Sequence, residues 1–216
     1  FKALTYSAKL EKNRSGYIYL DIHEIFNMLN YGELSKNYLK KALDFSNNYK
    51  DEELKIRVLN AYGNLLYEEE NYERASLYID RSLKAEERRS QYICAIPSLY
   101  LKASILLAKN KKMYGGSGNV SNPTIEQRIT ARRSEAIQLL KKAVDMGLEL
   151  KQYNNLLPVI SDYIELEIHS GNFKNALFYL NKIDEIYAPY YRYYFFYYYL
   201  KALYFEKKGK IYSALR

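Results

Sequence analysis

Two histidines, one cysteine and a few runs of acids are the residues of this 216-residue chain with the types that do chemistry. His23 and His169 stand far apart, and neither belongs to a His-x-x-x-His pair, the helical spacing that turns two imidazoles toward one metal ion. Both are expected to be structural or to face solvent. Cys94 lies in QYICAIPSLYL, among apolar neighbours. Alone it forms neither an intrachain disulfide nor a thiolate metal site, and burial would leave it inert. Asp51-Glu52-Glu53 and Glu68-Glu69-Glu70 fall at predicted turns or helix ends, where exposed acids need no catalytic explanation. GGSGN lacks the Lys-Ser/Thr that completes a phosphate-binding loop, and neither GxSxG nor GxGxxG occurs. No set of nucleophile, base and electrophile is assembled, so the chain is expected to be non-catalytic, with no cofactor and no metal.

The 33 Lys+Arg against 25 Asp+Glu leave a net charge of +8, a balance that draws acidic partners at long range. The signs are nonetheless mixed along every segment. KNKK (109–112) and Arg128, Arg132 and Arg133 are the local basic concentrations, and they are expected to be solvated surface rather than a nucleic-acid patch. No segment approaches the roughly 20 apolar residues that span a bilayer, so no membrane insertion is expected. The start at Phe1 shows no basic-then-apolar leader, although one removed earlier would leave the same start. A single free cysteine suits the cytoplasm and a periplasmic sensor segment equally, so the compartment stays open.

With 48% apolar residues, four prolines and nine glycines, the chain has ample core and too few interruptions for many short strands. Long helices must therefore position whatever site exists, and an internal repeat organises them. YLKASILLAKN (100–110) and YLKALYFEKKG (199–209) share YLKA within an apolar helical pattern. In LNAYGNLLYEEENYERASLYIDRSLKAEE (59–87), Leu59, Tyr62, Gly63 and Leu66 fall on one helical face and ENY makes the turn. Tyr72, Ala75, Ile79, Ser82 and Leu83 line the face that follows. The same order recurs through Gly171, Phe173, Ala176, Leu180 and Ile183, and begins again at Gly209, Ile211 and Ala214. Ala136, Leu140, Ala143 and Val144 supply another copy; Ser35, Leu39, Ala42 and Leu43 give a weaker one.

The small second-helix positions Ser35, Ala75, Ala136, Ala176 and Ala214 lie 40, 61, 40 and 38 residues apart, while the first-helix positions Gly63 and Ala103 differ by 40. The excess of 21 residues therefore sits inside the third hairpin. Residues 110–123 are read as an inserted flexible loop, either a partner contact or an ornament. Helix resumes at Thr124, where TIEQ offers a cap, and Ile125, Ile129, Ala136, Leu140 and Ala143 continue one face.

This pattern of paired helices resembles the tetratricopeptide repeat, although the spacing exceeds that family's typical ~34 residues. The resemblance implies an all-α fold: a right-handed α-solenoid of stacked antiparallel helix hairpins. It would run as one array over residues 1–216, with about five hairpins and partial repeats at both ends, as in a slice of a longer protein. In that family, small residues at the positions of Gly63 and Ala75 let paired helices approach, and large ones at Tyr72 and Ile79 fill the space between. Carried over residue by residue, the concave groove would present Arg57, Asn60, Asn64 and Tyr67, then Tyr100 and Ser104, then Phe196 and Tyr199. Asparagine can hydrogen-bond an extended backbone, arginine can pair with a carboxylate, and tyrosine can do polar or apolar work. Chaperone-binding members clamp a terminal carboxylate with lysine and asparagine; Asn64 matches that asparagine, but Asn60 stands where the lysine is expected. The long repeats and abundant tyrosine are similar to repeat regions of large bacterial regulators. The implied function is a protein- or peptide-binding scaffold, the ligand- or partner-sensing region of such a regulator. A self-associating signal-transmission region and a nucleic-acid-binding helical repeat are the alternatives.

YYRYYFFYYYLKALYFE (190–206) carries nine aromatics in its first ten positions. A helix starting after Pro189 spreads them around all its faces, because nine of ten cannot share one stripe. Ala202 would take the small first-helix position, with Tyr198 and Phe205 facing the hairpin interior. Length and the flanking Arg192 and Lys201 argue against a membrane segment, and tyrosine suits half-exposed surfaces. Packing between repeats and a contribution to a binding groove both stay open.

Overall fold

The computed structural model describes residues 14–89, 94–114, 123–187 and 194–209. Their regular elements are all helical: α1 Ser15–Met28, α2 Gly32–Asn48, α3 Glu52–Glu68, α4 Tyr72–Arg89, α5 Ala95–Tyr114, α6 Pro123–Glu149, α7 Leu156–His169, α8 Phe173–Tyr187 and α9 Tyr194–Lys207, with a 3-10 turn at Tyr153–Asn155. The chain divides into two compact units, Phe1–Leu101 and Lys102–Arg216. In the first, α1 packs on α2, α2 on α3 and α3 on α4. In the second, α6 packs on α7, α7 on α8, and α9 on both α7 and α8. Each unit is thus an all-α helical-repeat stack of the α-solenoid kind, in which neighbouring helices pack consecutively and cover one another's apolar stripes.

The turns repeat as regularly as the helices. Asn30, Lys50 and Glu70 take positive φ at intervals of 20 residues, and Lys151 and Gly171 do so at the same interval. At each, the next residue's N–H reaches back to a carbonyl five residues earlier: Tyr31 to Phe26, Asp51 to Ser46, Asn71 to Leu66, Gln152 to Gly147 and Asn172 to Glu167, at 2.8–3.0 Å. That is the Schellman closure, which satisfies orphan carbonyls at a helix end and reverses the chain within about three residues. Asp51 then accepts a bond from the Leu54 N–H at 3.0 Å, and Asn71 one from the Arg74 N–H at 3.4 Å, starting α3 and α4.

The core follows the expected register. Ser35, Ala75, Ala136 and Ala176 are all fully buried. Ala214, the fifth such position, lies outside the described residues, as do the expected partial repeats in 1–13 and 210–216. Leu39, Ala42, Ile79, Ser82, Leu140, Ala143, Val144, Leu180 and Ile183 are buried beside them. Each large aliphatic so placed contributes about 1.5–3 kcal/mol. At Gly63 the Ile79 side chain of α4 leaves no room for a side chain on α3: a Cβ there would lie 2.6 Å from Ile79 Cγ1.

Two expectations need correction. Helix α5 continues to Tyr114, so the first residues of the expected loop are helical. Asn110 is buried there, and its side-chain amide donates to the Ile129 carbonyl at 3.0 Å, which pins α5 to α6. Residues 115–122 lie outside the described residues; α6 begins at Pro123, one residue before the predicted restart. In the aromatic run, Tyr198 does not face the hairpin interior but is 57% exposed, and Phe205 is only half-buried. Leu200 and Tyr204 take the inward side, Tyr204 meeting Phe173 of α8 edge-on at 5.7 Å. With aromatics on every side, the inward stripe is chosen by where α9 meets α7 and α8, which no periodicity within the run encodes.

Candidate functional site

Among the described residues, a groove between first helices of successive hairpins is found in each unit. The groove between α1 and α3, about 400 Å³, is lined by Leu20, His23, Glu24 and Asn27 from α1 and by Arg57, Asn60 and Asn64 from α3, with Cys94 at one end. His23 is 4% exposed, and its Nδ1 lies 2.8 Å from Ser35 Oγ and 3.1 Å from the Ser35 carbonyl oxygen. Burial holds its pKa below the ordinary value, outweighing the Ser35 carbonyl and the Glu24 and Glu68 carboxylates, which pull the other way. Glu68 receives a side-chain amide from each helix, Asn64 at 2.9 Å and Asn27 at 3.3 Å. Arg57 donates to Glu53 at 3.1 Å. Asn60 donates to Ser98 Oγ at 2.8 Å, so this asparagine also ties α3 to the start of α5.

Cys94 is buried, and its thiol is pushed up to about 11 by burial first and then by Glu86. A thiol so protonated is no nucleophile. Its backbone N–H donates to Glu86 Oε1 at 2.6 Å, while burial pushes that carboxyl up to about 7.

The second groove, about 310 Å³, runs between α7 and α9. Leu157 and Pro158 form one wall; Phe195, Phe196, Tyr199 and Leu200 form the other. Ser161, Asp162 and Glu165 bring polar atoms to it from α7. Ser161 is 8% exposed, and its hydroxyl has no hydrogen-bond partner. Glu165 faces His169 Nε2 at 3.8 Å. Behind α7, Tyr163 and Tyr179 meet edge-on at 5.0 Å, and Tyr179 donates to Asp145 of α6 at 2.8 Å, so α7 is held against α8 while α8 is tied to α6.

Of the expected groove residues, Arg57, Asn60 and Asn64 come together in the first groove, and Phe196 and Tyr199 in the second. Tyr67 instead packs at a tilt against Tyr72 across the hairpin turn, ring centres 5.7 Å apart, and lines neither groove. Tyr100 and Ser104 are half-buried on α5 and line neither. Leu20, Glu24, Pro158 and Ser161 also line the grooves without having been singled out by residue type, and His23, expected to be structural or to face solvent, is buried and lines the first groove. The repeat itself carried the signal: Leu20, His23 and Glu24 stand 40 residues before Asn60, Gly63 and Asn64, and Pro158 and Ser161 stand 38 before Phe196 and Tyr199.

Among the described residues, no group of three or more His, Cys, Asp or Glu could hold a metal ion, and no helix is long and apolar enough to cross a membrane. No family model and no curated protein matches the chain.

Proposed function

We propose that this chain is a non-catalytic helical-repeat scaffold, of the tetratricopeptide type, that binds segments of other proteins in its two first-helix grooves. The observation that supports the reading is that side chains from two successive first helices line one groove in each unit, as a helical-repeat binding surface requires. The first groove offers amides, an arginine and carboxylates, the complement of an extended peptide backbone and its charges. The second offers aromatic and aliphatic walls, suited to an apolar anchor side chain. Such a scaffold would serve as the partner-sensing part of a larger regulatory protein.

Panning a random peptide library against the 216-residue chain tests this. Enriched peptides are expected to lose at least about 10-fold in affinity against Arg57→Ala/Asn64→Ala or Phe196→Ala/Tyr199→Ala, since a few central residues carry most interface energy. Failure to enrich any peptide, or enrichment indifferent to both double variants, would remove the proposal.

A second reading, self-association, draws on Ile25, Met28, Leu29, Tyr31 and Leu34, which are exposed together around the α1–α2 turn. A concentration-dependent mass in analytical ultracentrifugation, abolished by Met28→Lys, would favour it over peptide capture.

A further inference from the structure

We infer that the α7–α9 groove takes a basic segment: a stretch of partner protein in which one large apolar side chain stands beside a lysine or arginine. The inference rests on the peptide-binding reading above and specifies the chemistry of one of its two sites.

Three features of the groove converge on that occupant. Its walls are apolar and the rings on its α9 side are open to solvent: Phe195 is 76% exposed, Phe196 46% and Tyr199 48%. Aromatic faces left in water at a concave site recover hydrophobic free energy when an apolar side chain covers them, and they attract cations through their ring quadrupoles. At the base of the groove, the Ser161 hydroxyl is more than nine-tenths buried with no partner. Leaving such a group unsatisfied is costly, and a turn of the Ser161 side chain toward an inserted segment would let a backbone carbonyl or N–H satisfy it.

The third feature is sign. The chain as a whole carries +8, yet the described residues lining this groove include Glu165 and Asp162 and no lysine or arginine. Glu165 has His169 beside it, a cation only when protonated. A cationic side chain arriving next to the apolar anchor meets a carboxylate at the edge of a low-dielectric wall, where the attraction exceeds that in bulk water. An acidic segment would meet like charge there and be rejected.

The test uses three dye-labelled nonapeptides and fluorescence anisotropy: a central leucine flanked by lysines, the same leucine flanked by glutamates, and the lysine peptide with serine replacing leucine. The first is expected to bind at least about 10-fold more tightly than either other, and to weaken as salt rises. Glu165→Gln should erase most of the lysine-over-glutamate preference. Ser161→Ala should weaken the lysine peptide several-fold without lowering the protein's own melting temperature, because the hydroxyl has no partner to lose. Equal or tighter binding of the glutamate peptide, or a lysine-peptide affinity unchanged in both variants, overturns the inference. The two readings fail differently. If glutamate-flanked peptides bind and are displaced from this groove by library peptides, peptide binding stands and the basic partner falls. If no peptide of any flank binds either groove, both fall.

Discussion

The hairpins α1–α2 and α3–α4 occupy the same register 40 residues apart, yet they are closed by opposite devices. Where α3 has Gly63, α1 has His23; where α4 has Ala75, α2 has Ser35. In the later hairpin the missing Cβ lets the fully buried Ile79 side chain lie on the backbone of α3. In the earlier one an imidazole fills the crossing and bonds to the hydroxyl or carbonyl of Ser35. A buried hydroxyl reappears at Ser82, which donates to the Ile56 carbonyl at 3.2 Å, while its counterpart on α2 is Ala42. The repeat therefore specifies a volume at each crossing, filled by aliphatic contact or by a hydrogen-bonded pair. Only the polar solution at His23 makes the crossing sensitive to protons.

The largest expected effect breaks the aliphatic crossing. Gly63→Val places two methyl groups where even a Cβ collides with Ile79, and should cost about 3 kcal/mol in urea denaturation. A loss below about 1 kcal/mol would mean that Ile79 has room to move and that the glycine is not what sets the approach.

The next effect isolates the polar crossing. His23→Leu should cost about 1–3 kcal/mol near neutral pH, because the Ser35 hydroxyl is left buried without its partner. It should also change how stability depends on pH. His23 has a folded pKa below its ordinary 6.5, so the unfolded chain binds the proton first and stability falls as pH drops through that value. Glu86 acts in the opposite sense. Its carboxyl is raised from 4.5 to about 7, so the folded state holds a proton that the unfolded chain lacks, and stability rises as pH falls from about 7 toward 4.5. The two slopes oppose each other in the parent chain. In His23→Leu the Glu86 slope stands alone, and stability should increase on acidification from pH 7 to 5. An unchanged pH profile would show that His23 does not change its charge on unfolding.

The smallest effect concerns the turns that both hairpins share. Glu70 holds φ of 56° without glycine's freedom, whereas Gly171 holds 78° at the matching place. Glu70→Gly should raise stability by about 0.5–1 kcal/mol, less than the full left-handed penalty because glycine also loosens the unfolded chain. No gain in melting temperature would place the cost of that turn elsewhere.

Much of this was legible beforehand. The inward positions Ser35, Ala75, Ala136 and Ala176 stood out because each sits between apolar residues at helical spacing, and the ENY turn coincides with the left-handed Glu70. The groove was legible only in part. Arg57, Asn60 and Asn64 could be carried over from a pattern, and the i,i+4 spacing on one helix accounts for the bonds of Arg57 to Glu53 and Asn64 to Glu68. The bonds of Asn60 to Ser98 and of Asn27 to Glu68 join residues 38 and 41 positions apart, which no local spacing announces.

The sequence by itself determined that the chain is built of helices, where most hairpins turn and which face of most helices is buried. A period of 3.6 separates inside from outside wherever polar and apolar residues alternate. Tertiary structure alone decided which side of the all-aromatic α9 turns inward, how far α5 runs beyond Lys109, and that His23 meets Ser35. It also decided that an unpartnered serine, a glutamate and three exposed rings share one groove. Those outcomes depend on side chains from different helices reaching one place, and that proximity comes from packing rather than from periodicity along the chain.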